Sequence, residues 1–301
     1  MEYFDRDQMK ITREEVYAEG YLRFLYSART GRLLNEAIFS RRLFNRLLGR
    51  YWDSRFSCGL IGPFIQRYGI SMEEYAIPAG GFPSFNSFFS RKFRVGARPF
   101  TGEGEILCSP VEGKLLVREG VSPERTISVK GTPLPVAEVF RRPLEEYHGG
   151  TLLVFRLYLA DYHRFHFFDA GVAEPPTTIP GRYYAVSPMG FLRKPHQFYS
   201  RNHRQVAVFT SDHFGEVLIS EVGGFCVGSI VQTRTPCSRV RRGEEKGYFA
   251  FGGSTVILLF RLGTVRIDPD ILDHSRREVE TRVRLGTPIG KACTAQPGKH
   301  G

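Results

Sequence analysis

At 301 residues, 42% hydrophobic and 24% charged, the chain has the composition of an ordinary globular protein and length enough for one large or two modest domains with a sizeable core. Its net charge of +11 implies attraction to something acidic, with nucleic acid and an anionic membrane as the two candidates. The start, Met1 to Gln8, has no apolar signal-peptide core, and no stretch approaches the roughly eighteen apolar residues of a spanning helix, so a cytosolic protein, soluble or peripheral, is expected.

The stretch 21–60 carries eight arginines (23, 29, 32, 41, 42, 46, 50, 55) against Glu36 and Asp53, a local net charge of +6. Phe39, Leu43, Leu47 and Phe44, Leu48, Tyr51 fall at helical spacings, while Arg42, Arg46 and Arg50 share another face. This pattern predicts a basic amphipathic helix able to lie in a membrane interface with arginine over anionic headgroups; the alternative is a surface helix packed on its own domain. No helix-turn-helix, zinc-finger or aromatic-platform motif accompanies the basic segment, which argues against nucleic acid. Residues 75–84 are rich in Gly and Pro and read as a linker, so a boundary is placed there, with a helical region at 1–75 and a second region at 76–301.

Beyond Ile106, short apolar runs recur between Gly and Pro punctuation, at 113–117, 152–159, 206–209, 217–222, 248–251 and 256–260. They predict a mostly β region with connections too brief for a βαβ sheet, and an α+β fold class for the whole chain. The glycines of 223–228 lack the spacing of a dinucleotide fingerprint and there is no P-loop, so no nucleotide cofactor is implied. The five cysteines (58, 108, 226, 237, 293) are odd in number and form no Cys-x-x-Cys, so neither a disulfide framework nor structural zinc is indicated, and reduced, mostly buried thiols are expected.

The chemistry concentrates around Lys246 to Phe260. Gly252, Gly253 and Ser254 stand at the mouth of an apolar, partly β-branched run that reads as a buried strand. With no side chain on Gly253, the Ser254 hydroxyl can approach the preceding carbonyl, which suits attack by the serine on its own peptide bond; the bland alternative is a Gly-Gly bend feeding a core strand. Ala160-Asp161-Tyr162-His163-Arg164-Phe165-His166 and Cys108-Ser109-Pro110-Val111-Glu112-Gly113 supply two imidazoles and a carboxylate able to orient one of them, the arrangement that hydroxyl activation needs. His163 and His166, three apart, could meet one metal on a helix, but no companion Cys, Asp or Glu cluster has ligand spacing, so no metal is expected.

These pieces form an ordered series: Phe85 to Arg91 with Ala97-Arg98-Pro99, Ser109 to Gly113, Lys130-Gly131, Asp161 to His166, Asn202-His203-Arg204, Val222-Gly223-Gly224 with Val227 to Ile230, Lys246 to Val256, and Leu285 to Gly290. In this order they resemble the phosphatidylserine decarboxylase family of self-processing, pyruvoyl-dependent enzymes, and Tyr21 to Ser27 with Gly31-Arg32 looks like its shorter bacterial type. The resemblance covers roughly residues 80 to 292. It implies that 1–75 is a membrane-association region and 76–301 the catalytic domain. It further implies that the chain cleaves itself at Gly253-Ser254 into a large chain, 1–253, and a small chain, 254–301, the latter capped by a pyruvoyl group made from Ser254.

On matching positions, His166 would be the processing base, oriented by Glu112, and His163 the acid/base of decarboxylation. The pyruvoyl carbonyl would form a Schiff base with phosphatidylserine and accept the electrons released as carbon dioxide departs, yielding phosphatidylethanolamine. Implied partners are an anionic membrane, met peripherally at the cytoplasmic face of the cell membrane, and a second copy in a homodimer. One departure stands out: the family usually has aspartate where this chain has Glu112, one methylene longer, so the histidine or backbone must shift to absorb the reach, with slower processing or none as the two outcomes. Two rivals stay open: a pyruvoyl decarboxylase of a free amino acid, which needs no basic N-terminus, and an unprocessed lipid-binding homologue, which Glu112 favours.

Overall fold

Every residue of the strand Ser254–Phe260 is buried, because the sheet it belongs to is covered on both sides. The computed structural model describes residues 2–14, 20, 24–25, 28–122, 124–129, 132–184, 198–224, 229–235 and 237–293. The expectations resting on Lys130-Gly131, on residues 225–228 and on most of 21–27 therefore lie outside the described residues.

The strands that frame the site are β1 (Glu2–Asp5), β2 (Lys10–Arg13), β3 (Gly113–Val121), β4 (Gly150–Leu157), β5 (Arg164–His166), β6 (Arg204–Ser211), β7 (Gly215–Gly223), β8 (Ile230–Gln232), β9 (Glu245–Phe249), β10 (Ser254–Phe260) and β11 (Glu280–Val283). The large sheet runs β6-β7-β10-β4-β3-β11-β1-β2, continued beyond β6 by the short strands Gly171–Ala173 and Arg239–Val240, with Thr177–Ile179 also beside β6. Its pairings are antiparallel except β1 with β11. Side chains alternate across such a sheet, so Val256, Leu258 and Phe260 enter one core with Leu153, Phe155 and Ile219, whereas Ile257 and Leu259 enter a second with Leu116, Leu152 and Val154. The second core is closed by residues such as Val136, Val139 and Phe140. The first is closed by the small antiparallel sheet β5-β9-β8, through Phe165, Phe249 and Ile230. An apolar run without alternation is what burial on both faces requires. The α+β class with strands dominant is as the sequence predicts.

On the N-terminal side lie the helices α1 (Arg29–Leu34), continuing into a π-helical turn Asn35–Phe39, α2 (Arg42–Trp52), α3 (Ile61–Tyr68) and α4 (Phe85–Phe89). α3 stops at Gly69, whose φ of +58° is a left-handed conformation costly for a residue with a Cβ. At α4 the Ser84 hydroxyl accepts from the Ser87 N–H at 3.1 Å, capping the first turn. Phe64 of α3 packs with Phe85, Phe88 and Phe89 of α4 and with Phe251, fixing the helices over the segment that leads into β10.

Two expectations are corrected. Residues 2–13 are not helical: β1 and β2 form a hairpin added to the large sheet, where Tyr3, Phe4 and Asp5 pair with Glu280, Thr281 and Arg282. Of the four described cysteines, all free, only Cys108 is buried, in a strand; Cys58, in the 3-10 helix Arg55–Leu60, and Cys237 and Cys293, outside helices and strands, reach the surface.

One polar cluster is set into the sheet. Lys114 and Arg156 are cross-strand neighbours on β3 and β4, and both are buried, so two cations face each other away from water. Three carboxylates from separate elements offset them: Glu14 bonds both cations (3.0 and 2.7 Å), Glu280 takes two guanidinium nitrogens of Arg156 (2.9 and 2.6 Å), and Asp161 takes Lys114 (2.9 Å). Removing one partner of a buried pair strands the other's charge, at a cost of several kcal/mol. Glu280→Ala is therefore expected to lower the unfolding free energy by about 3 kcal/mol, read from the urea midpoint. An effect below about 0.5 kcal/mol, the scale of an ordinary surface substitution, would show the cluster to be energetically idle.

Candidate functional site

Ser254 is the first residue of β10, fully buried, and pairs with Gly223 of β7 on one side and Leu157 of β4 on the other. The chain enters it through Gly252, at φ +139°, a conformation that a β-carbon would strain. Upstream, the Phe251 N–H donates to Asn86 Oδ1 at 2.8 Å, and the Asn86 amide donates in turn to Asp53 Oδ1 at 2.7 Å. The Phe251 ring stands 4.5 Å from Trp52 and 5.0 Å from both Phe85 and Phe89, centroid to centroid. The Gly253-Ser254 peptide is thus held by the sheet after it and by the aromatic layer before it.

His163 meets the serine: Nδ1 lies 3.3 Å from Ser254 Oγ and Nε2 lies 2.9 Å from the Tyr158 carbonyl. A carbonyl oxygen can only accept, so Nε2 carries the proton and Nδ1 presents its lone pair to the hydroxyl. The orienting group of the usual triad, a carboxylate, is replaced here by a peptide. That peptide is fixed in its turn, because Asp161 Oδ2 accepts from the Tyr158 N–H at 2.7 Å while bonding Lys114. Phe89 stacks on the imidazole at 3.9 Å and 24°. Burial, and then the nearby charge of Arg91, push the His163 pKa down to about 3, so the ring is a neutral acceptor at physiological pH.

His166 and Glu112 are not part of this contact. The segment 163–166 is extended, and an odd spacing in extended chain sends two side chains to opposite faces, whereas on a helix the same spacing would bring them together. His166 Nδ1 donates to the Gly243 carbonyl (2.9 Å) and its Nε2 accepts from the Tyr162 hydroxyl (3.2 Å), with burial lowering its pKa. Glu112 accepts from Arg98 Nε at 2.5 Å rather than from an imidazole, and Arg98 is shared with Glu74 at 2.6 Å. Burial raises the Glu112 pKa, and the pull of Arg98 opposes it. The expected line Glu112–His166–Ser254 is therefore not formed, since Arg98 occupies the carboxylate and the strand turns His166 away. His166 instead lines a pocket of about 180 Å³ with Arg98, Phe100, Tyr162, Gly243 and Glu245.

Sequence reasoning did not single out the Tyr158 carbonyl, Phe89 or Asn86. Asn86 and Phe89 lie within the Phe85 to Arg91 motif, which located them without indicating what they touch.

Fold and site together define an α+β enzyme whose serine-imidazole pair is sealed inside its own core, between a central strand and an aromatic cover. The chain belongs to the phosphatidylserine decarboxylase family, a family of decarboxylases: the family profile of that description matches residues 85–291. It is 39% identical over 289 residues to the phosphatidylserine decarboxylase proenzyme of Clostridium novyi (strain NT), covering 95% of this chain and 98% of that protein. It is 40% identical over 292 residues to the protein of the same name from Clostridium botulinum (strain Langeland / NCTC 10281 / Type F), covering 96% and 99% respectively. The proenzyme of Clostridium perfringens (strain SM101 / Type A) is 39% identical over 279 residues, 92% of this chain and 95% of that one.

A histidine held neutral by burial makes a distinct contribution to pH stability. Its folded pKa of about 3 lies below the unfolded value of about 6.5, so the unfolded chain binds the extra proton between those limits and stability falls as pH drops through that window. In a Ser254→Ala chain, acidifying from pH 6.5 to 5 should cost up to about 2 kcal/mol more with His163 present than in the His163→Asn variant, at 1.36 kcal/mol per pKa unit. Parallel urea midpoints for the two chains over this range would contradict it.

Proposed function

We propose that this chain decarboxylates phosphatidylserine to phosphatidylethanolamine, using a pyruvoyl group that it makes from Ser254 by opening itself at Gly253-Ser254. The observation carrying the proposal is the contact of Ser254 Oγ with an unprotonated imidazole nitrogen at 3.3 Å, among buried residues and directly after Gly252-Gly253, which has no side chain to shield the carbonyl. The relatives' shared designation as proenzymes supports a chain that must mature.

In the first stage His163 Nδ1 takes the hydroxyl proton and Ser254 Oγ attacks the Gly253 carbonyl, converting the amide to an ester. Elimination across the Cα–Cβ bond of residue 254 then releases the Gly253 carboxylate and leaves a dehydroalanine, which water converts to a pyruvoyl cap with loss of ammonia. The site fits that group: residue 254 is buried, sits at a strand end, and has an imidazole within reach of its side chain. Once formed, the pyruvoyl group supplies a carbonyl for the substrate amine and a sink for the electrons left by carbon dioxide. His163, fixed by the Tyr158 carbonyl, then holds and returns the proton at the substrate carbon. The second reading, in which His166 and Glu112 drive cleavage, draws on their common side of the chain, where Tyr162 touches His166 and feels the charge of Glu112. It requires the 158–166 segment to turn over.

For the substrate's setting, α2 buries one side, with Trp52 against the aromatic cluster, and leaves apolar side chains exposed on the other. Asn45 and Gly49 face inward, while Leu43 and Leu47, at 69% and 54% exposure, face outward beside Arg42, Arg46 and Arg50. Leu33, Leu34, Ile38, Tyr51, Phe56 and Leu60 extend the exposed apolar surface. An apolar stripe edged with arginine is the pattern of a helix lying in a lipid interface. Among the described residues no helix is long and apolar enough to cross a membrane. We place the protein peripherally on an anionic bilayer, at the cytoplasmic face.

Intact mass tests maturation: the 34.2 kDa chain should give way to two fragments, the smaller blocked at its N-terminus, and Ser254→Ala should stay whole. A natural chain that stays whole on long incubation would leave the lipid-binding alternative standing. His163→Ala should slow cleavage by roughly 100-fold or more, the scale of general-base catalysis, while His166→Ala retains it; the reverse pattern would establish the second reading.

Replacing Arg42, Arg46 and Arg50 together with glutamine should weaken binding to phosphatidylserine vesicles by up to about 3 kcal/mol, at about 1 kcal/mol per basic residue, and more at low salt than at high. Cleavage and activity on detergent-dispersed lipid should persist. Unchanged vesicle binding would make α2 an element of the fold alone.

A further inference from the structure

Six cationic side chains are buried among the described residues, and five are fully answered. Lys114 and Arg156 share Glu14, Asp161 and Glu280; Arg164 has Glu245 and the Ser90 carbonyl; Lys246 has Glu221 and Gln232. Arg204 has no carboxylate but donates to the carbonyls of Glu138, Val139, Ser200 and Asn202. Arg91 is the exception. At 1% exposure it donates only through Nη2, to the Tyr75 hydroxyl at 3.3 Å and the Ala160 carbonyl at 3.1 Å, and neither Nε nor Nη1 has a partner. Two ring faces also lie against it, Tyr75 at 4.4 Å and Phe88 at 5.0 Å from the guanidinium carbon. These soften the charge without neutralising it. A buried guanidinium with open N–H groups and no counter-ion is costly, and it is well suited to a planar oxyanion.

Its position joins it to the serine-imidazole pair. Arg91 follows Phe89, which stacks on His163, and it bonds Ala160 in the turn whose Tyr158 carbonyl holds the same imidazole. We propose that Arg91 receives an oxyanion of the phospholipid substrate, its carboxylate or its phosphodiester, alongside His163. This rests on the reading of Ser254 and His163 as the reacting centre.

The chemistry follows from charge. The charged side chains that act most on His163 are Arg91 and, more weakly, Lys114, both cations, while Phe89, the Ser254 hydroxyl and the backbone of Tyr158 and Leu159 also face it. With the anion site empty, both cations disfavour an imidazolium, which keeps His163 a proton acceptor for the serine. An oxyanion on Arg91 offsets the charge that acts more strongly on His163 and gives an imidazolium a counter-ion. The same ring can then hold the proton that the substrate carbon needs. One imidazole would thus serve as a base before substrate arrives and as an acid afterwards, switched by the substrate's own charge.

The test is calorimetric titration of the matured full-length protein and its Arg91→Gln and Arg91→Lys variants with three soluble probes. Glycerophosphoserine carries both oxyanions, glycerophosphoethanolamine only the phosphodiester, and O-methylserine only the carboxylate. Arg91→Gln should bind glycerophosphoserine roughly 10- to 100-fold more weakly, the scale of a hydrogen bond to a charged group, with a smaller loss in Arg91→Lys. The single-oxyanion probe that suffers the same loss identifies the group held. In the uncleaved Ser254→Ala chain, which has no pyruvoyl group and so consumes no proton by decarboxylation, binding of glycerophosphoserine near pH 6, about the ordinary imidazole range, should take up protons, and adding either His163→Asn or Arg91→Gln should abolish that uptake, which loss of a merely structural arginine would not do. Equal affinities in the natural and Arg91→Gln proteins, or no binding of any probe to the natural protein, would overturn the proposal. If Arg91→Gln does not fold, as judged by circular dichroism, Arg91→Lys decides by the same criterion. A chain that never matures, or releases no carbon dioxide from phosphatidylserine, tells instead against the decarboxylase reading, and the titration then runs on the uncleaved protein.

Discussion

The carbonyl oxygen of Tyr158 is the point on which the site turns. It accepts from the Asp161 N–H at 2.9 Å, which closes a tight turn, and from His163 Nε2 at 2.9 Å, which fixes the tautomer of the ring that faces Ser254. The turn is held from outside by Lys114, whose ammonium bonds Asp161, and Lys114 is tolerated in the interior only because Glu14 and Asp161 answer it. A residue just past the N-terminal hairpin therefore bears on the direction of an imidazole lone pair through two ion pairs and a peptide. Charge buried for structural reasons and charge arranged for chemistry form one network.

The aromatic cover plays a complementary part. Trp52, Phe85, Phe89 and Phe251 interlock at centroid distances of 4.5 to 6.4 Å, and Phe89 continues the stack onto His163. Trp52 ends the helix that shows Leu43 and Leu47 to solvent, so the ring layer joins that exposed apolar helix to the imidazole beside the serine. An apolar wall of this kind lowers the local dielectric, which strengthens each charge inside and explains why His163 is so hard to protonate.

Much of this was legible in the sequence where the signal is local. The strand 254–260 declared itself as an unbroken apolar run because both its faces are covered, and the Gly-Gly-Ser entry marked its start. The hairpin at residues 2–13 did not: its strands are four residues long and half polar, and its sheet neighbour, Glu280–Arg282, lies at the other end of the chain. The two histidines stood out in the sequence, but their relation to the serine depends on whether 163–166 is extended or helical, which spacing alone cannot decide. Glu112 shows a different limit: its distance in sequence from His166 carries no information about Arg98, the stronger partner that reaches it first. Arg91 stood inside a recognised motif, yet what sets it apart is a missing carboxylate, which no single position records.

The placement of β10 bears on how the protein ages. It lies between β7 and β4, and β11, further along, lies between β3 and β1, so the segment from 254 onward is woven through strands from the segment before it. Opening the chain at Gly253-Ser254 as proposed would cut a covalent link without loosening either piece, each strand staying zipped on both edges. The native arrangement would then no longer be encoded in one molecule. A matured protein, once unfolded, would have to find its other half by diffusion and thread it back into the middle of a sheet, whereas the uncut chain needs only to close a loop. Its lifetime would be set by the barrier to coming apart, and heat damage that the precursor could repair would be permanent in the finished enzyme.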